Sequence, residues 1–69
     1  MSREQLIRVA TDYAKQHRWN MADYSVKDVQ TKGKECSVSF TGKSKRPGDH
    51  FTVYLDCTKG TVLRLIPGR

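Results

Sequence analysis

The stretch Phe51-Thr52-Val53-Tyr54-Leu55-Asp56-Cys57-Thr58-Lys59-Gly60-Thr61-Val62-Leu63-Arg64-Leu65-Ile66 decides the fold. Apolar and polar residues alternate from Phe51 to Cys57, the period-two pattern of a strand with one buried and one wet face. A second strand-like run starts at Thr61. Between them, Thr58-Lys59-Gly60 has the form of a three-residue hairpin loop with glycine in the left-handed position. Such a loop pairs Cys57 with Thr61, Leu55 with Leu63, Val53 with Leu65, Tyr54 with Arg64 and Thr52 with Ile66. Val53, Leu55, Leu63 and Leu65 then share the core face, and Tyr54, Val62, Arg64 and Ile66 lie outside. A one-residue slip would bury Arg64 and expose both leucines, so the pattern selects the register.

Upstream, Glu35-Cys36-Ser37-Val38-Ser39-Phe40-Thr41 alternates again, with Cys36, Val38 and Phe40 on one side. The turn Lys32-Gly33-Lys34 joins it to Tyr24–Thr31, where the apolar spacing slips between Val26 and Val29 and predicts a bulge. Before that, Trp19-Asn20-Met21-Ala22-Asp23 reads as a connection whose Trp and Met close the core. At the N-terminus, Ser2 followed by Gln5 forms a capping box. Leu6, Ile7, Ala10, Tyr13, Ala14 and His17 then recur at helical spacing on one face. The expected elements are a helix over residues 3–18 and strands over 24–31, 35–41, 51–57 and 61–66. Together they make one α+β domain over 1–69, an N-terminal helix packed on a four-stranded, mainly antiparallel sheet in two layers.

Sixty-nine residues, 36% hydrophobic and 29% charged, suffice for one small core. No run approaches the roughly 20 apolar residues of a membrane span, and Met1-Ser2-Arg3-Glu4-Gln5 lacks the apolar centre of a secretory signal. A cytoplasmic protein is therefore expected. Two cysteines exclude a disulfide-rich scaffold. Cys36 and Cys57, on core faces of adjacent strands and in a reducing compartment, are expected as buried thiols.

The order of helix, Trp and hairpins, ending in Asp56-Cys57-Thr58-Lys59-Gly60-Thr61-Val62-Leu63, resembles the PepSY and cystatin-like small domains. The resemblance implies a binding or inhibitory module. PepSY domains are associated with protease inhibition, usually outside the cytoplasm, and some compact cystatin-like proteins act as immunity proteins against bacterial toxins.

Thirteen Lys and Arg against seven Asp and Glu give a net charge of +6. Its most concentrated part is the loop Gly42-Lys43-Ser44-Lys45-Arg46-Pro47-Gly48-Asp49-His50. Gly42-Lys43-Ser44 echoes a phosphate-binding loop but lacks the glycine five residues earlier, where Ser37 stands, and the helix that should follow. Catalysis by His50 with Asp49 lacks a nucleophile beside it. The cysteines and the two histidines have no metal-ligand spacing, so neither metal nor cofactor is expected.

Two readings of function follow. The first is a non-enzymatic protein-binding module whose outer face (Tyr54, Val62, Arg64, Ile66) and basic loop (Lys43, Lys45, Arg46) dock on an acidic protein, with self-association as its simplest variant. The second is a small nucleic-acid binder contacting phosphates through Lys32, Lys34, Lys43, Lys45, Arg46 and Arg64.

Overall fold

The computed structural model describes residues 2–17, 19–42 and 50–67. Helix α1 spans Arg3–Gln16 and is capped as its sequence requires. The Ser2 hydroxyl accepts the Gln5 N–H at 3.2 Å, and the Gln5 side chain accepts the Ser2 N–H at 2.9 Å. The helix ends two residues before the expected boundary. The His17 N–H closes onto the carbonyls of Tyr13 and Ala14, and the Trp19 N–H returns to Ala14. His17 does not join the buried face. It is exposed, with its ring 4.2 Å from that of Tyr13.

One turn of 3-10 helix, Met21–Asp23, leads into strands β1 (Tyr24–Lys32), β2 (Glu35–Gly42), β3 (His50–Asp56) and β4 (Thr61–Pro67). They form an antiparallel sheet in the order β1-β2-β3-β4, with α1 packed on one face. The fold is thus the α+β arrangement expected from the hydrophobic pattern. Leu6, Ala10 and Ala14 bring the helix down onto Cys36, Val38, Phe40, Phe51, Val53 and Leu55, all buried. The two alanines, with no side chain beyond Cβ, let the helix backbone approach the sheet closely.

Phe51 is the centre of an aromatic group. Its ring stacks on Phe40 at 4.9 Å and meets Trp19 at 4.3 Å and Tyr24 at 5.1 Å. Trp19, Met21 and Tyr24 therefore close the core as their positions suggest. Among the described residues no helix is long and apolar enough to cross a membrane.

The β1 bulge lies where the spacing slips. Val26 faces Phe40 and Asp28 faces Ser39, leaving Lys27 as the extra residue. Gly33, at φ 64°, turns the chain between β1 and β2 in the left-handed conformation that glycine adopts without steric cost.

The terminal hairpin departs from expectation in one respect. Thr52–Ile66, Val53–Leu65 and Tyr54–Arg64 pair as the alternation predicts, but the strands then shift, and Leu55 faces Val62 while Asp56 faces Thr61. Leu63 is the extra residue and is 52% exposed, whereas Val62 packs on the core. Val62 is thus misassigned to the outer face by the three-residue loop. The cause is Asp56, whose carboxylate accepts the N–H groups of Thr58 at 2.8 Å and Lys59 at 3.0 Å, while its carbonyl accepts the Gly60 N–H at 2.8 Å. These bonds close the turn at Asp56 and leave Cys57 outside the strand.

Cys57 then meets Cys36 in a disulfide, with Cα atoms 5.6 Å apart, which replaces the pair of buried thiols expected. The Cys57 N–H also bonds the Lys34 carbonyl at 2.9 Å, so the β1–β2 and β3–β4 turns are tied together at one end of the sheet. Closing a loop of this size removes about 3 kcal/mol of chain entropy from the unfolded state. With nine buried apolar residues among those described, that is a substantial share of net stability.

Candidate functional site: the open face of the sheet

With the helix on one side, no other described element packs on the opposite side of the sheet. Cross-strand rows define this outer face: Asp28, Ser39, Thr52 and Ile66 form one, and Gln30, Ser37, Tyr54 and Arg64 form the next. The first row is tied by a hydroxyl contact of 3.2 Å between Ser39 and Thr52. In the second, the Arg64 guanidinium lies 4.2 Å from the Tyr54 ring centre and donates to Glu35 at 2.8 Å. Arg64 therefore reaches from β4 across β3 to β2, held between a ring face and a carboxylate. Each contact is worth only about 0.5–1 kcal/mol at an exposed site, but together they fix a long side chain in one direction.

A depression of about 540 Å³ opens beside this pair, lined by Gln30, Lys32, Glu35, Ser37, Tyr54 and Arg64 among others. Further along the face, Asp28, Ser39, His50 and Thr52 contribute to a smaller one of about 220 Å³. The surface offers hydrogen-bonding groups, one aromatic ring and charges of both signs. His50 is exposed at the start of β3 opposite Thr41. Its proposed companion Asp49 lies outside the described residues, as do Lys43, Lys45 and Arg46. Among the described residues no group of three His, Cys, Asp or Glu stands close enough together to hold a metal.

Of the expected outer-face set, Tyr54, Arg64 and Ile66 come together on this side and Val62 does not. Glu35 was missed by sequence reading. Its position next to the β1–β2 turn gives no hint that an arginine two strands away reaches it.

Charge is distributed unevenly. The described residues hold eight cationic and six acidic side chains, so four of the six net positive charges belong to residues outside them. The tied turns bring Lys34 and Lys59 near Asp56. The Asp56 carboxyl is held below its usual range, chiefly by the Lys59 backbone N–H, with help from the Thr58 N–H and the charges of Lys59 and Lys34, against the opposing effect of desolvation. Lys32 and Lys34 sit at one end of β2 and the 43–46 segment follows its other end. Eight extended residues separate those ends by roughly 23 Å.

In class, the chain is a two-layer α+β domain with an open, polar sheet face carrying a Tyr–Arg pair. No family model matches it, and no curated protein or solved structure matches it.

Proposed function

We propose that this is a non-enzymatic protein-binding module, of the inhibitor or immunity type that its PepSY and cystatin-like features suggest. It docks on an acidic partner through the outer sheet face. One observation carries the reading: Arg64 is pre-arranged over Tyr54 and anchored by Glu35 on a face that nothing described in this chain covers. Tyrosine and arginine are the residue types that dominate binding energy at protein interfaces, most of all when they are ordered before the partner arrives. Ile66 adds apolar area on the same side, and Lys43, Lys45 and Arg46 add positive charge from the β2–β3 connection.

The disulfide bears on the compartment. A bridge between Cys36 and Cys57 persists in an oxidising setting and is rare in a reducing cytoplasm, so it favours an exported or periplasm-like location over the cytoplasmic one expected from the N-terminus.

The test compares wild type with Tyr54→Ala and Arg64→Ala as immobilised baits, with bound proteins quantified by mass spectrometry at rising salt. An acidic protein retained by wild type and reduced at least about tenfold by either variant supports the reading. Equal retention by all three baits overturns it.

Nucleic-acid binding is the second reading, favoured by the gathering of Lys34 and Lys59 at the tied turns. Absence of any shift with single- or double-stranded DNA and RNA at low salt, where counterion release favours binding most, removes it.

A further inference from the structure

The two ends of the Cys36–Cys57 bond are unequally exposed. Cys36 lies in the core at 1% exposure, whereas Cys57 is half-buried in the turn after β3. Solvent therefore reaches the bond from the Cys57 side without the sheet opening. Lys59 and Lys34, whose carbonyl holds the Cys57 N–H, bring two positive charges to this end. The carboxylates nearby are both engaged: Asp56 accepts the N–H groups of Thr58 and Lys59, and Glu35 accepts from Arg64. A thiolate arriving here meets an accessible residue between cations. We infer that Cys36–Cys57 is a thiol–disulfide exchange site, opened by a dithiol reductant while the domain stays folded, and that its opening loosens the Tyr54–Arg64–Glu35 clamp.

One thiolate of the reductant attacks the Cys57 sulfur and bonds to it; the Cys36–Cys57 bond breaks, and its electron pair leaves on the Cys36 sulfur. The Thr31 hydroxyl, 3.6 Å from that sulfur, is placed to donate to the departing thiolate. The reductant's second thiolate then attacks its own bound sulfur, and Cys57 leaves with that electron pair. The reductant ends as a disulfide, and its two thiol protons end on Cys36 and Cys57.

The bond lies beside the clamp. Glu35 precedes Cys36 and pairs with Asp56, which precedes Cys57 and pairs with Thr61. Between Thr61 and Arg64 the pairing shifts at Leu63. The bridge and the Asp56 turn, more than regular pairing, thus fix where β4 begins relative to Glu35. With the bridge open, the turn keeps its Asp56 bonds but loses its covalent tie to β2, and Arg64 no longer holds one position over Tyr54. Leu6, Ala10 and Ala14 stay packed with Val38, Phe40, Phe51 and Val53, so the opening is local. The clamp is then ordered in an oxidising setting and loose in a reducing one. The bearing of this on partner docking rests on the function proposed above; the exchange itself does not.

The test treats the oxidised full chain with dithiothreitol at several urea concentrations below the unfolding transition, trapping free thiols by alkylation and counting them by mass. The rate should follow the dithiothreitol concentration and change by less than about twofold across the urea series, as direct attack on a folded chain requires. In NMR spectra the reduced chain should keep slow amide exchange at Val38 and Val53, while the Arg64 side-chain N–H and Tyr54 ring signals move to averaged positions. A double variant, Cys36→Ala with Cys57→Ser, should show the same averaged signals without reductant. A rate that climbs with urea in step with global unfolding, a reduced chain that is unfolded, or clamp signals unmoved by reduction overturns the inference. No partner takes part in these measurements, so the exchange can fail while docking through Tyr54 and Arg64 of the oxidised chain stands, and the reverse.

Discussion

The two edges of this sheet carry the same irregularity and put it to different use. On β1 the extra residue of the bulge is a lysine, and the next residue, Asp28, bends back over its own strand. One Asp28 oxygen accepts the Val29 N–H at 2.9 Å and the other accepts the Gln30 side chain at 3.0 Å. Charge and a side chain bonded to the backbone together make that edge a poor template for a further strand. On β4 the extra residue is a leucine, the nearest charge is turned away toward β2, and apolar side chains face water. A bulge is therefore not protective in itself. What matters is which side chain it exposes and what the neighbouring residues do with the strand's free hydrogen-bonding groups.

The edges also differ in how they are held, and this gives the largest effect to look for. β4 leaves a turn that is bonded covalently to β2 through Cys36–Cys57, whereas β1 is held by the aromatic group around Phe51 and by its pairing with β2. Reduction, or Cys57→Ser, should lower stability by about 3 kcal/mol in denaturant titration. Amide exchange should speed up in Thr61–Ile66 before it does in Val26–Thr31. Equal loss of protection in both strands would dissolve the distinction.

A second, somewhat smaller effect examines the β4 bulge itself. Val62→Asp should cost about 2 kcal/mol, because it puts a charge against the core, while Leu63→Asp should stay within about 0.5 kcal/mol. A regular three-residue hairpin predicts the reverse order, so one pair of melts distinguishes the two registers.

The smallest effect concerns the turn that produces the bulge. Asp56 titrates below an ordinary carboxylate in the folded protein. The stability it contributes is therefore present above its unfolded pKa and is lost as pH falls through the lower, folded value. Melting temperature should decline on acidification over that range in wild type and less steeply in Asp56→Ala. β1, whose turn depends on Gly33, should show no matching change at neutral pH when Asp56 is replaced.

These details bear on what could be read in the amino-acid order. The helix cap, the helix face, the alternation in β2 and β3 and the slip in β1 all arise from local chemistry or from strict periodicity, and each is found where the residues put it, except that the helix stops at Gln16 and leaves His17 exposed off its buried face. The end of the last hairpin is different because two turns suit the same letters. Gly60 in the left-handed conformation, at φ 69°, serves a loop closing at Cys57 and equally one closing at Asp56. The choice rests on where the Asp56 carboxylate finds its donors and on Cys57 being drawn toward Cys36. That attraction is a long-range contact, invisible in a window of ten residues. One residue moved from strand to turn carries Val62 to the core side, and the bulge at Leu63 restores the alternation by Arg64. For the candidate face the consequence is limited: Tyr54, Arg64 and Ile66 lie beyond the correction and keep their places, and Val62 does not.

The Cys36–Cys57 bond has a topological consequence as well. It closes a covalent ring that contains β2, β3 and the whole Gly42–His50 connection with its cluster of cations. A protease that cleaves after one of those lysines or arginines therefore opens a ring without dividing the molecule. The nicked chain gains the mass of one water and stays in one piece until the disulfide is reduced, when it separates into two fragments.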